Sequence, residues 1–223
     1  FHYADVAEII DELDHDQAIY LIKLIDSDKT SDILTELDED VREKILNTLS
    51  LKEIAGEIKE MDTLLRDRGK PVSCLSRHIF AGMTSENKPG DELHLKHMDA
   101  LKRVVEMAHI VGSPFVRIMT QKKEQILWGF HGAEKWNVAH GAWDSMPPLI
   151  EPAVDFARSA GVKLAVETGN GTMVNSNYTA RKLIDELNAK DTLKVLWDPG
   201  NNCWCHELAF PDGYEEVRDG YLG

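Results

Sequence analysis

The chain is poor in cysteine, in basic residues and in long apolar runs. Three cysteines among 223 residues are too few for a disulfide scaffold, which favours a reduced, cytoplasmic setting. No apolar run approaches about 18 residues, so the sequence predicts no membrane span. The 25 basic residues are outnumbered by 39 acidic ones, which disfavours nucleic acid as a partner because phosphate contacts need Lys and Arg.

The acidic excess is concentrated at the start of the chain. Residues 1–63 contain eighteen acidic and six basic residues, a net charge of −12 against −14 for the whole chain. Residues 64–223 are therefore nearly neutral. Such an acidic segment favours cations as partners.

The same first segment repeats every twelve residues. The first position of each block is apolar and is occupied by Phe1, Leu13, Ile25, Leu37, Leu49 and Met61. The second position is mostly a capping residue and is occupied by His2, Asp14, Asp26, Asp38, Ser50 and Asp62. An unbroken register of this kind indicates a structural repeat.

Each block has the features of a short helix. Asp or Ser at the second position is typical of an N-cap, whose oxygen accepts a free backbone N–H of the first turn. About two turns of helix are unstable alone, so the apolar residues of neighbouring blocks must be buried together. We therefore expect five short helices in a stack over residues 1–63.

Phrases such as ADVAEIIDELD, ILTELDEDVREKIL and EIAGEIKEMD give this segment a family resemblance. They resemble the cytoplasmic N-terminal domain of MgtE-type magnesium transporters, which implies a role in sensing Mg²⁺. The densest carboxylate cluster, Asp38, Glu39 and Asp40, supplies the candidate regulatory Mg²⁺ ligands, because Mg²⁺ prefers oxygen ligands. Helix caps and a solvated acidic face are the alternative interpretation of these acids.

The repeat and the charge excess stop together near Thr63–Leu64, which we predict as a domain boundary. Beyond it, apolar strands alternate with amphipathic helices, a pattern typical of right-handed βαβ units in a parallel sheet. The predicted strands are 71–76, 115–120, 162–168 and 193–198, and the main predicted helices are 91–111, 145–161 and 177–188. The expected fold class is mixed: a short all-α repeat, then an incomplete α/β sheet.

Two carboxylates stand where two of these strands end. Glu167 precedes the turn TGNG, and Asp198 precedes PGNN. Functional groups gather at the carboxyl ends of parallel strands, so both side chains are expected to lie in one site. Together they would suit a divalent cation that polarises a carbonyl group, although loop capping is the simpler alternative.

The motifs VKLAVETGNG and KVLWDPGNN resemble the xylose-isomerase-like superfamily of TIM barrels, over residues 64–223. The resemblance implies that Glu167 and Asp198 bind a divalent metal cation such as Mg²⁺ or Mn²⁺, and that Glu167 also acts as a catalytic base. Its substrate would be a small sugar or sugar phosphate, undergoing isomerisation or epimerisation. Asn201 stands where the family often has a substrate-binding His, and Asn201 and His206 are the candidate substrate contacts.

The resemblance covers about four strands and two metal ligands, where the family barrel has eight strands and four ligands. We therefore expect little or no activity, and we expect the open sheet edges to favour self-association. Two alternatives remain for the chain as a whole. One is a Mg²⁺-sensing regulatory module of a magnesium transporter, and the other is a hybrid chain without function.

Overall fold

The computed structural model forms two compact units, residues 1–72 and residues 73–223. It describes residues 2–25, 30, 33–34, 36–38, 40–42, 45, 59, 62–123, 142–205 and 207–223. Among these residues, no helix combines the length and the apolar character needed to cross a membrane.

The first unit opens with two helices, α1 (Tyr3–Asp11) and α2 (His15–Leu24). Their N-caps lie twelve residues apart, as the repeat predicts. His2 caps α1 through its imidazole, and the Asp14 carboxylate accepts the N–H of Gln17 at 2.9 Å. This bond satisfies one of the backbone donors that the first turn of a helix leaves unpaired.

A small apolar core lies within the first unit. Its buried members come from successive blocks of the repeat and are Ala7, Ile10, Ala18, Ile22, Ile33, Leu37 and Ile45. The carboxyl-terminal part of the unit ends in helical residues 62–67 and in Gly69, whose φ of +67° closes the turn. Most of residues 46–61 lie outside the described residues, so the stack of five helices stays a prediction.

The second unit alternates strands and helices as predicted. Its strands are β1 (Cys74–Ser76), β2 (Phe115–Ile118), β3 (Lys163–Glu167) and β4 (Leu193–Leu196). Its helices are α3 (Glu92–Val111), α4 (Pro147–Ala160), α5 (Asn177–Glu186), α6 (Pro199–Trp204) and α7 (Tyr214–Val217), with single turns at Ala142–Ser145 and Ala209–Gly213. The four strands pair in the order β1-β2-β3-β4, all parallel. This arrangement confirms the predicted parallel α/β sheet.

The two faces of the sheet differ sharply. One face is buried against the helices through Leu75, Val116, Ile118, Leu164, Val166, Leu193 and Val195. The other face, here called the inner face, carries the alternate residues. Ser76, Arg117, Ala165 and Lys194 form one row across it, since they pair in register on neighbouring strands. Leu196, on the same face, is 37% exposed.

The edge of β4 that does not pair with β3 is partly covered by residues 221–223. The N–H of Val195 donates to the carbonyl of Tyr221 at 2.8 Å, and the N–H of Gly223 donates to the carbonyl of Val195 at 3.2 Å. Leu222 forms an isolated parallel bridge with Val195. These bonds reduce the exposed edge on which the predicted self-association depends, and that association stays a prediction.

The loop that follows β1 is anchored on α3 by two histidines. His94 is buried; its Nδ1 accepts the N–H of Gly90 at 3.1 Å and its Nε2 lies 3.0 Å from the carbonyl of Leu149. The Nδ1 of His97 accepts the N–H of Phe80 at 3.1 Å. The buried Phe80 ring packs against both imidazoles, with its backbone at a φ of +65°. The imidazoles of His94 and His97 on α3 therefore hold this loop in place.

Acid should destabilise the second unit through His97. Burial lowers the pKa of His97, and the charges of Lys96, His94 and Arg77 lower it further. Between the unfolded pKa, about 6.5, and the lower folded pKa, the unfolded chain binds more protons. Stability is therefore lost as the pH falls through this window, because protonated Nδ1 no longer accepts the Phe80 N–H.

Urea unfolding followed by tryptophan fluorescence measures this loss, because all five tryptophans lie beyond residue 72. His97→Asn, which keeps an acceptor but does not titrate, should flatten the decline between pH about 7 and about 5. His78→Asn, at an exposed position of the same loop, serves as the control. Equal slopes in His97→Asn and in the wild type would rule out this role for His97.

Candidate functional site

The two predicted carboxylates follow neighbouring strands at the same end of the sheet. Glu167 is the last residue of β3 and pairs in register with Leu196, two residues before Asp198. Thr168 links the two strand ends: its hydroxyl accepts the N–H of Asp198 at 3.1 Å, and its carbonyl accepts the side-chain amide of Asn201 at 2.8 Å. Parallel pairing therefore brings these residues to the same end of the sheet, where β3 and β4 finish, as the sequence predicts.

Asp198 is the N-cap of α6. Its Oδ1 accepts the N–H of Gly200 at 2.9 Å and the N–H of Asn201 at 3.2 Å, and its Oδ2 accepts the Asn201 side-chain amide at 2.9 Å. The capping role that we weighed as the simpler alternative is thus present. It fixes the carboxylate in place rather than excluding a ligand role, because Oδ2 accepts a single hydrogen bond and keeps its second acceptor position.

Glu167 forms an ion pair that our sequence analysis missed. The Arg117 Nε on β2 contacts the Glu167 carboxylate, and the two side chains are 16% and 19% exposed. The signal was present in the sequence, because Arg117 interrupts the otherwise apolar strand FVRIMT. A charge in the middle of a covered strand needs a partner.

The remaining predicted residues fall into two groups. Asn201 joins Asp198 and Thr168 through its amide, as described above. His206 and Glu39 lie outside the described residues. Asp38 and Asp40 are exposed in the first unit, and the N–H of Asp38 lies 3.4 Å from both oxygens of the Asp11 carboxylate.

A third carboxylate supports the same end of the sheet. Glu207 accepts the N–H of Asn177 at 2.9 Å and the N–H of Tyr178 at 3.1 Å, so it caps α5 from thirty residues away. The side-chain amide of the fully buried Asn202 on α6 also donates to Glu207. These bonds tie the segment after β4 to the start of the helix that follows β3.

Among the described residues, the candidate metal ligands at this end of the sheet are carboxylate oxygens. Glu167 and Asp198 offer carboxylates with acceptor positions to spare, which fits a hard divalent cation that keeps several of its waters. Within the described ranges, no group of three or more His, Cys, Asp or Glu side chains is placed to hold a metal ion. The described residues therefore do not suit a tetrahedral zinc site, whereas their carboxylate oxygens are the ligand type that Mg²⁺ and Mn²⁺ prefer.

Several solved structures resemble this chain at low sequence identity. The probable 3-DHS dehydratase AsbF from Bacillus anthracis gives a TM-score of 0.56 at 12% identity, over 74% of this chain and 53% of that one. The apo 3-keto-D-glucoside 4-epimerase YcjR from E. coli gives 0.52 at 16%, over 78% and 65%. The IOLI protein with a binding zinc atom gives 0.52 at 16%, over 82% and 58%. This chain thus spans 53% to 65% of their lengths, and the likeness shows the fold.

No curated protein matches the sequence. Two family models match it. The MgtE intracellular N domain matches residues 1–65, in agreement with the first resemblance. The second model, xylose isomerase-like TIM barrel, matches residues 36–221. Because this second match takes in more than half of the chain and agrees with the parallel α/β sheet, the chain belongs to the xylose isomerase-like TIM barrel family.

Proposed function

We propose that the second unit binds a divalent cation through Glu167 and Asp198 and serves carbonyl–enediol chemistry on a small sugar. The observation that carries this proposal is the placement of both carboxylates at the carboxyl ends of adjacent parallel strands, tied by Thr168. The dehydratase and epimerase activities named for AsbF and YcjR support the reaction class. The zinc atom of the IOLI protein supports a divalent metal.

The residues at this end of the sheet would have different roles in such a reaction. Glu167 and Asp198 would hold the ion, with water or substrate filling its other positions. When bound, such an ion polarises a substrate carbonyl and so acidifies the neighbouring C–H bond. Glu167 would accept the proton from that carbon. Thr168 and Asn201 would keep the Asp198 carboxylate at its present angle.

Metal binding tests this proposal more directly than turnover, since we expect little or no turnover from two carboxylates. In calorimetric titrations with Mn²⁺, Glu167→Gln and Asp198→Asn should each weaken one class of sites on the order of tenfold, about 1.4 kcal/mol. Any Mn²⁺ binding by the acidic first unit is common to all variants and cancels in the comparison. Glu151→Gln, on an exposed part of α4, is the matched control. Unchanged titrations for both site variants would refute the proposal.

A second candidate function concerns the first unit. Its match to the MgtE intracellular N domain favours a Mg²⁺-responsive segment. We propose Asp38, Glu39 and Asp40 as its ligands. Changing all three to their amides should then remove a Mg²⁺ response of the first unit, seen as a shift of its amide NMR signals. If those signals respond to Mg²⁺ as in the wild type, the three acids are not the ligands.

A further inference from the structure

Arg117 and Glu167 face each other on the inner face of the sheet. Arg117 pairs in register with Ala165, and Glu167 lies two residues further along β3, so both side chains project to the same side. Their ion pair is mostly shielded from solvent. Glu167, a proposed metal ligand, therefore already has a cationic partner, the guanidinium of Arg117.

Arg117 is fixed in this position from both sides. Its Nη1 donates to the Ser76 hydroxyl on β1 at 2.7 Å, and its Nη2 lies 3.1 Å from the Met119 sulfur. Cys74 also lies near the pair: burial raises the pKa of its thiol, and the charge of Arg117 opposes that rise while Glu167 adds to it. The guanidinium is thus held by Ser76 on β1, by Met119 just after β2 and by its charge partner Glu167 on β3, and it is not a loosely placed surface arginine.

A guanidinium held on a carboxylate competes with any other cation for that carboxylate. The ion pair neutralises the charge of Glu167. A divalent ion that approaches Glu167 must also overcome repulsion from the guanidinium at close range, in a site that is screened less than the open surface. Both effects lower the affinity of Glu167 for metal.

We propose that Arg117 is a positioning residue that holds Glu167 while the metal is absent and sets the metal affinity of the site by competition. This inference rests on the proposed function, because it takes Glu167 as a metal ligand. Metal binding and release of the Arg117–Glu167 pair are then coupled. Arg117 itself touches no reacting atom.

The test is a Mn²⁺ titration of the full chain with Arg117→Met, which keeps the bulk of the side chain and removes its charge. This variant should bind Mn²⁺ about three- to tenfold tighter than the wild type at low ionic strength, the order expected for removing one cation beside a partly shielded carboxylate. Arg117→Lys, which keeps the charge, should stay within about twofold of the wild type. In Arg117→Met/Glu167→Gln the gain should vanish, since the carboxylate that it frees is gone.

Tryptophan fluorescence checks that each variant is folded. If Arg117→Met does not fold, Ser76→Ala replaces it: loss of the hydroxyl loosens Arg117 and should tighten Mn²⁺ binding about twofold. Glu167-dependent binding that neither Arg117→Met nor Ser76→Ala strengthens would overturn the role of Arg117 and leave the proposed metal site standing. Absence of Glu167-dependent binding in the wild type and in both variants would overturn the two proposals together.

Discussion

Leu164→Ala should lower the free energy of unfolding of the second unit by about 2–5 kcal/mol. Leu164 is the second residue of β3, is fully buried and pairs in register with Val116 and Leu193, so truncation leaves a cavity between sheet and helices. Neighbouring side chains between a parallel sheet and its helices are closely packed and cannot easily move to fill such a cavity. Urea unfolding followed by tryptophan fluorescence gives the value.

Leu196→Ala is the matched control for this change. It makes the same substitution in the adjacent strand but on the inner face, where Leu196 is 37% exposed. We expect the free energy of unfolding to fall by less than about 1 kcal/mol, because truncating Leu196 removes little buried apolar area. Equal costs at the two positions would mean that the inner face is covered in solution, for instance by a second copy of the chain, and the assignment of faces would have to change.

Glu207→Ala should cost about 2–4 kcal/mol, although Glu207 lies in an irregular segment. The substitution removes the acceptor of two backbone N–H groups at the start of α5 and leaves the amide of the fully buried Asn202 without this partner. Loss of a helix cap and of a buried hydrogen bond to a charged group each cost about 1–2 kcal/mol.

Glu215→Ala controls for the loss of a glutamate near the same segment. Glu215 pairs with Arg218 at an exposed site, where a salt bridge contributes less than about 1 kcal/mol. The unfolding midpoints of Glu207→Ala and Glu215→Ala should therefore differ clearly. Similar midpoints would show that Glu207 does not tie the segment after β4 to α5.

The sequence predicted the elements of the second unit well, because local rules determine them. Gly112 and Gly161 end α3 and α4 with φ of +62° and +70°, as C-capping glycines should. The strands came out shorter than predicted where other bonds intervene. Met119, for example, follows β2 but donates its N–H to the carbonyl of Ile79 in the loop after β1. That bond depends on a distant segment, which periodicity cannot reveal.

The positions of the candidate site residues were predicted from the sequence, but their contacts with distant segments were not. Strand ends located Glu167 and Asp198, since a parallel sheet brings its carboxyl ends together. Their contacts come from other parts of the sheet: Arg117 on β2 pairs with Glu167, and Thr168, just after β3, accepts the backbone N–H of Asp198. Their roles follow from strand order and register, which a pattern of apolar residues does not specify. Glu207 was missed because a cap thirty residues distant leaves no local signature.

The most direct test of the central claim is paramagnetic broadening of amide NMR signals by substoichiometric Mn²⁺. If Glu167 and Asp198 hold a divalent cation, the amide signals of Thr168, Gly200 and Asn201 should broaden first among those of the second unit, and they should sharpen again when Mg²⁺ is added in excess. In Glu167→Gln/Asp198→Asn this early broadening should be absent. Early broadening confined to the acidic residues 1–65, with Thr168, Gly200 and Asn201 unaffected, would contradict a metal site at the ends of β3 and β4.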